Sequence, residues 1–181
     1  MSRVIFMCGP AGSGKSTVAR RLEADGMTRL SFDEEAWRRG IREQPLAEGV
    51  RQEIESALRR RLVELVSTGI DVVLDYSFWS RHMRDDYRAL LRPLGVEPET
   101  IFLATARDVV LARVEARDGT AANEVRLSQA VAAQYFDAFE APTAAEGPLI
   151  VLGAGPTTPA PPAGSGPGGT APDQASTSSS V

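Results

Sequence analysis

The stretch Gly9-Pro10-Ala11-Gly12-Ser13-Gly14-Lys15-Ser16 fills every fixed position of the eight-residue phosphate-binding signature, and Thr17 follows it. Lys15 is the one lysine of the chain; the other basic residues are all arginine. That usage suits a site needing a compact ammonium rather than a planar guanidinium. Residues 3–8 form a short apolar run of strand-forming types that stops at the first glycine, as a buried parallel strand does. From Lys15 to Asp25, Val18, Ala19 and Leu22 recur at helical spacing, with Arg20, Arg21 and Glu23 on the opposite side. Strand, loop and helix thus arrive in the order that the motif requires. Glycines at 9, 12 and 14 let the backbone curl so that successive N–H groups point at one anion, and the positive end of the helix reinforces them. Lys15 is then placed for the β and γ phosphates of a nucleoside triphosphate, and Ser16 for the Mg2+ ion that bridges them.

The rest of the composition bounds the reading. A chain of 181 residues suits one domain with a substantial core. A net charge of −4 and a pI near 5.1 argue against a general nucleic-acid-binding surface, while leaving room for a local arginine pocket. The single cysteine, Cys8, precludes an internal disulfide framework and fits a reducing compartment. No apolar run approaches the roughly 20 residues that span a bilayer, and a strand rather than a signal peptide opens the chain, so a cytoplasmic protein is expected. Residues 153–181 contain 26 drawn from Gly, Pro, Ala, Ser and Thr, too little apolar surface to fold, and are expected to be a disordered tail. The folded unit is accordingly placed at residues 1–152.

Further along, a second strand reads from Met27 to Phe32 and ends at Asp33, where a parallel strand meets the loop edging an active cleft. Leu46 to Thr68 reads as a long helix with Val50, Ile54, Leu58, Leu62 and Leu65 or Val66 on one face, closed by Gly69. Ile70 to Leu74 is a third strand that delivers Asp75. Ser80 suits the N-cap of a helix reaching about Leu91. A strand at Glu99–Ala104, helices at Arg107–Ala116 and Asn123–Phe139, and a strand at Pro148–Leu152 complete the pass. Five strands with helical crossovers predict an α/β, three-layer fold: a five-stranded parallel sheet with helices on both faces and right-handed connections.

This order of motifs resembles the small P-loop kinases, the AAA-type ATP-binding group of polynucleotide kinase, chloramphenicol phosphotransferase and the zeta toxins. The resemblance covers residues 3 to about 152. It rests on the loop, on Asp33 in Ser31-Phe32-Asp33-Glu34-Glu35, on Asp75 in Val73-Leu74-Asp75, and on Arg113-Val114-Glu115-Ala116-Arg117. It implies the P-loop NTPase fold with a short lid. It implies Asp33 as general base for the acceptor hydroxyl, Arg113 and Arg117 as lid arginines clasping the transferring phosphates, and Arg126 as a weaker third. Asp75 resembles the acid that orders Mg2+ through water, and Arg84 falls where these kinases often keep a basic residue for acceptor or phosphate.

Elementary chemistry gives the same residues reasons. Phosphoryl transfer spreads charge over equatorial oxygens, so fixed cations and a closing lid both help. Arg113 and Arg117, four apart, face one ligand together if helical. An ionised Asp33 can accept the acceptor's proton, the reading preferred here over its competitor, a helix N-cap. Tyr76, Phe78 and Trp79 cluster at the expected cleft mouth, which suits a planar or sugar-bearing acceptor, with Trp37, Arg38 and Arg39 as the facing wall. His82 reads as a surface helix residue. The expected activity is transfer of the γ-phosphate of ATP to a hydroxyl of a small molecule such as an antibiotic, a sugar derivative or a nucleotide. Two alternatives stand beside it: a polynucleotide 5′-hydroxyl kinase, and a nucleotide-gated binding module with slow hydrolysis.

Overall fold

Apolar runs too short for helices alternate with amphipathic stretches long enough for them, and the chain folds accordingly. The computed structural model describes residues 2–41, 46–116 and 128–153. Five strands, β1 (Val4–Cys8), β2 (Thr28–Ser31), β3 (Val72–Asp75), β4 (Glu99–Leu103) and β5 (Leu149–Leu152), form one sheet in the order β2-β3-β1-β4-β5. Every pairing is parallel. The helices are α1 (Lys15–Ala24), α2 (Phe32–Arg38), α3 (Glu48–Ser67), α4 (Arg81–Leu91), α5 (Arg107–Glu115) and α6 (Gln129–Asp137).

Strand alternation divides the core between two faces. Val4, Phe6 and Cys8 of β1 pack with Ile54, Leu58 and Leu62 of α3 and Tyr87 and Leu91 of α4. Ile5 and Met7 point the other way, onto Ala19 of α1 with Val73, Ile101 and Leu103. The doubly covered sheet expected from the sequence is therefore present. Because β1 lies between β3 and β4, and β3 between β1 and β2, the carboxyl ends of β1, β2 and β3 are neighbours. Register brings Ser31 opposite Asp75.

Several boundaries differ from the sequence reading. β2 stops at Ser31 rather than running through Phe32, because the Ser31 hydroxyl accepts the Glu34 amide and caps α2. Asp33 thus lies in the first helical turn, and the cap belongs to Ser31. Ile70 is 39% exposed and precedes β3. The helix expected over Asn123–Phe139 is described only as α6, in which Ala132 is buried and Tyr135 faces outward. Ser80 does cap α4, accepting the Met83 amide at 3.2 Å. Arg117, Arg126 and the tail beyond Gly153 lie outside the described residues.

Candidate active site

The loop after β1 is shaped by contacts that leave no room for side chains. Gly9, Gly12 and Gly14 have φ of +150°, +84° and +102°, a region in which L-residues are strained. A Cβ on Gly12 would sit 2.8 Å from the Val110 carbonyl oxygen of α5, and one on Gly9 would sit 2.7 Å from Ser13 Oγ. The Thr105 hydroxyl after β4 donates to the Ser13 carbonyl at 2.9 Å, and the Gly9 amide donates to the Ser77 carbonyl at 3.2 Å. The loop is thereby pinned to the strands on both sides of β1. Lys15 Nζ donates to the Pro10 carbonyl at 2.9 Å, so its ammonium lies folded over the loop. Arg113, in the last turn of α5, reaches the Gly12 carbonyl at 3.4 Å.

Beside the loop, Ser16 Oγ donates to Asp75 Oδ1 at 3.2 Å. Asp75 Oδ2 is held at 3.0 Å by Nη1 of Arg29, a β2 residue whose side chain is 5% exposed. The same guanidinium binds Glu23 of α1 at 3.0 Å and Glu34 of α2. Burial alone would lower the Arg29 pKa. Its hydrogen bonds to Glu34 and Glu23, with the charges of Glu34 and Asp75, outweigh that cost and hold it above the usual arginine value. Arg29 therefore ties the end of β3 to the end of α1 and the start of α2. The sequence reading missed it; an arginine in an otherwise half-buried strand is the signal that marks it.

A cleft of about 880 Å³ opens over these groups. Its floor is Gly12, Gly14, Lys15, Ser16 and Asp75, and Asp33 lines it from α2. Its far half is walled by Arg51, Glu55 and Arg59 of α3, by Trp79 of the loop before α4, and by Met83, Asp86 and Tyr87 of α4. The three α3 residues stand four apart on the flank of the buried Ile54-Leu58-Leu62 stripe, a helical neighbour pattern visible in the sequence but not singled out. Arg59 is paired with Glu55 at 3.0 Å and stands 4.5 Å from the centre of the Tyr87 ring.

Several expected substrate residues lie elsewhere. Arg84 is completely buried and bound in a two-point pair to Glu146 at 2.7 and 3.0 Å, so it cannot face an acceptor. Its partner is 62 residues away, which no local pattern reveals. Arg38 is exposed and paired with Glu35 at 2.8 Å, and neither it nor Trp37 lines the cleft. Tyr76 lines the cleft but is 4% exposed, packed with Phe32, Phe78 and Tyr87 in the core; Trp79, 52% exposed, is the ring open to solvent. Burial pushes the Tyr76 hydroxyl well above the usual tyrosine range, and the neighbouring Tyr87 adds to the effect. His82 lies at the rim, 88% of its side chain exposed.

A parallel sheet with a glycine-lysine loop after its central strand, a serine and an aspartate beneath that loop, and a cleft over both defines a P-loop nucleotide-binding protein. The chain belongs to the AAA domain family, whose model matches residues 4–142. Its fold is that of the P-loop kinases. A Chloroflexus aurantiacus protein assigned to the kinases superposes with a TM-score of 0.67 at 19% identity, covering 83% of this chain and 87% of the other. A sugar kinase from Janibacter sp. HTCC2649 gives 0.60 at 21% identity over 84% and 85%. A gluconokinase from Sinorhizobium meliloti 1021 gives 0.58 at 23% identity over 83% and 81%. No curated protein matches the sequence. Among the described residues, no helix is long and apolar enough to cross a membrane.

Proposed function

We propose that the protein is an ATP-dependent kinase that moves the γ-phosphate to a hydroxyl of a small molecule. The observation that supports this reading is that one cleft is lined by the phosphate loop, Ser16 and Asp75 together with Asp33 and a mixed aromatic and polar wall. A protein that only binds and slowly hydrolyses nucleotide has no need of a walled second half.

The backbone amides of residues 12–16 and the Lys15 ammonium hold the donor phosphates, Lys15 exchanging the Pro10 carbonyl for phosphate oxygen. The Ser16 hydroxyl and an Asp75 carboxylate oxygen lie 3.2 Å apart, a hard oxygen pair that suits Mg2+. Held by Ser16 and Asp75, Mg2+ would supply positive charge that offsets the donor phosphates. Arg29 fixes the direction of Asp75, and Arg113 stands over the loop to stabilise charge on the transferring group, with Arg117 proposed as its partner. As the acceptor oxygen attacks, its O–H proton passes to an Asp33 carboxylate oxygen. A new bond forms from the acceptor oxygen to the γ-phosphorus, the bond to the β–γ bridging oxygen breaks, and its electron pair leaves on ADP.

The acceptor half favours a small molecule over a nucleic-acid strand. The cleft lining sets three guanidinium groups, Arg20, Arg51 and Arg59, against five carboxylates, Asp33, Glu55, Asp75, Asp86 and Glu140, so it offers no net cationic track. Paired donors and acceptors beside exposed Trp79 suit a hydroxylated body with one flat face. The test is transfer of radiolabel from [γ-32P]ATP into a panel of hydroxyl compounds by wild-type protein and Asp33→Asn. Loss of about 10²–10⁴-fold in transfer, with MgATP affinity retained, is expected of a general base. Undiminished transfer by the variant removes Asp33 from that role, and no transfer by wild type to any acceptor removes the kinase reading.

A further inference from the structure

The wall that carries Trp79 is short, strained and held by carbonyl oxygens. Phe78 has φ of +44°, the one non-glycine residue at positive φ among the described residues, and for a bulky side chain that conformation persists only where surroundings enforce it. Three consecutive carbonyls of this loop are each taken by a different donor. Ser77 O accepts the Gly9 amide at 3.2 Å, from the phosphate loop. Phe78 O accepts Nη1 of Arg84 at 3.0 Å, and Trp79 O accepts the Glu140 amide at 2.9 Å.

The second and third of these donors are organised by one side chain far away in the sequence. Glu146, 2% exposed, binds Nε and Nη2 of Arg84 at 2.7 and 3.0 Å, which turns Nη1 toward Phe78 O and, at 2.8 Å, toward the Glu140 carbonyl. Glu140 closes the circuit by accepting the Arg81 amide on Oε2 at 2.7 Å, at the start of α4. Glu146 Oε1 also accepts the Thr143 amide at 3.0 Å, which shapes the 3-10 turn Ala144–Glu146. Arg84 lies outside the cleft, as does Glu146, yet its guanidinium supplies the charged donor to Phe78 O, which the Cys8 thiol also meets at 3.4 Å.

We infer that Glu146 and Arg84 are positioning residues for the acceptor wall: their buried pair holds the Phe78 carbonyl and Glu140 so that Trp79 stands at the cleft, while the phosphate loop, which meets this wall only through the Ser77 carbonyl, is also held from the other side by Thr105. This assignment rests on the kinase reading for its catalytic consequence and on geometry alone for its structural one. It also gives the strained residue a purpose, since a relaxed Phe78 would carry Trp79 away from the cleft edge. A merely structural pair would move global stability and leave the wall and acceptor affinity unchanged.

The experiment uses full-length protein in a Trp37→Phe background, so that Trp79 is the sole tryptophan. Glu146→Gln removes the charge and keeps the shape. Arg84→Met with Glu146→Leu replaces the pair by apolar groups of similar bulk and avoids the unpaired buried charge that the single change leaves, while Arg88, which meets Glu146 at 3.4 Å, keeps Asp85 and Thr100 as partners. The expected result in the folded variants is a shift of Trp79 emission with greater acrylamide quenching, an acceptor KM raised about tenfold or more, and a MgATP Kd within about twofold of wild type. Unchanged Trp79 emission and quenching in the folded double variant overturns the inference. So does a KM increase that is equal for ATP and acceptor. Should wild-type protein transfer no phosphate, the kinase reading fails, and the Trp79 readout still decides whether the pair sets the wall.

Discussion

Cys8 shows how far a single residue's surroundings reach. It ends β1 fully buried, beside the Phe78 carbonyl at 3.4 Å and Nη1 of Arg84 at 4.0 Å. Burial pushes its thiol up to about 11, with the charges of Arg84 and Lys15 pulling back. A thiol whose folded pKa lies above its unfolded one binds more protons when folded, so its stabilisation is full below the unfolded value near 9 and is lost as pH rises toward 11. The stability gap between wild type and Cys8→Ala, read from urea unfolding, is therefore expected to narrow by up to about 2–3 kcal/mol between pH 8 and pH 11. A gap that widens or stays constant contradicts the burial assignment. The thiol is also expected to resist an aromatic disulfide reagent at pH 8 until the protein unfolds. At this scale the sequence was most informative where chemistry is local. Lys15 and Ser16 are legible because their spacing is their function, and the cysteine reads as core from its strand. Arg84 was misread because its meaning lies in Glu146, and Arg29 was missed because its three carboxylates come from α1, α2 and β3.

The element most exposed to a single change is the phosphate loop, since it is built from backbone. A methyl at Gly12 would meet the Val110 carbonyl at 2.8 Å and Val114 Cγ2 at 3.1 Å, at a φ of +84°. Backbone at positive φ costs on the order of 1–3 kcal/mol for a side-chain-bearing residue, and the clash with α5 adds to it. Gly12→Ala is therefore expected to weaken MgATP binding by at least about tenfold in calorimetry, because the loop must shift and its amides no longer converge. Wild-type affinity in that variant would show that the loop tolerates displacement from α5. Strands and long helices were legible from period alone: α3 and its buried stripe, the Ser80 cap of α4 and the Asp75 terminus of β3 all follow from side-chain pattern. The start of α2 was not. Ser31 and Asp33 are both good capping residues two apart, and only the hydrogen bond from the Glu34 amide to Ser31 Oγ decides between them. The outcome matters for function, since the cap by Ser31 leaves Asp33 on the cleft side of the first turn.

On the scale of the whole molecule, the sheet order brings the ends of β1, β2 and β3 together, so that three segments distant in sequence share one cleft. The fold class was readable because the alternation of short apolar runs with amphipathic stretches admits few topologies, and right-handed crossovers select among them. The acceptor half was less readable, because α3 and α4 meet there only after folding and their polar flanks have no motif. The α4 base is tied to the Glu140–Glu146 segment, and β5 follows that segment directly, pairing β4 from Leu149 to Leu152. Among the described residues, every strand and every buried hydrophobic residue thus lies between residues 4 and 152. A chain ending at Gly153 is accordingly expected to keep its thermal midpoint within about 2 °C and its MgATP affinity within twofold of the full-length protein, since a shift of that size corresponds to about 0.5–1 kcal/mol for a domain of this size. Differential scanning calorimetry with titration of nucleotide checks both. A fall of more than about 5 °C would mean that residues 154–181 contribute core contacts, and the boundary of the folded unit would have to move past β5.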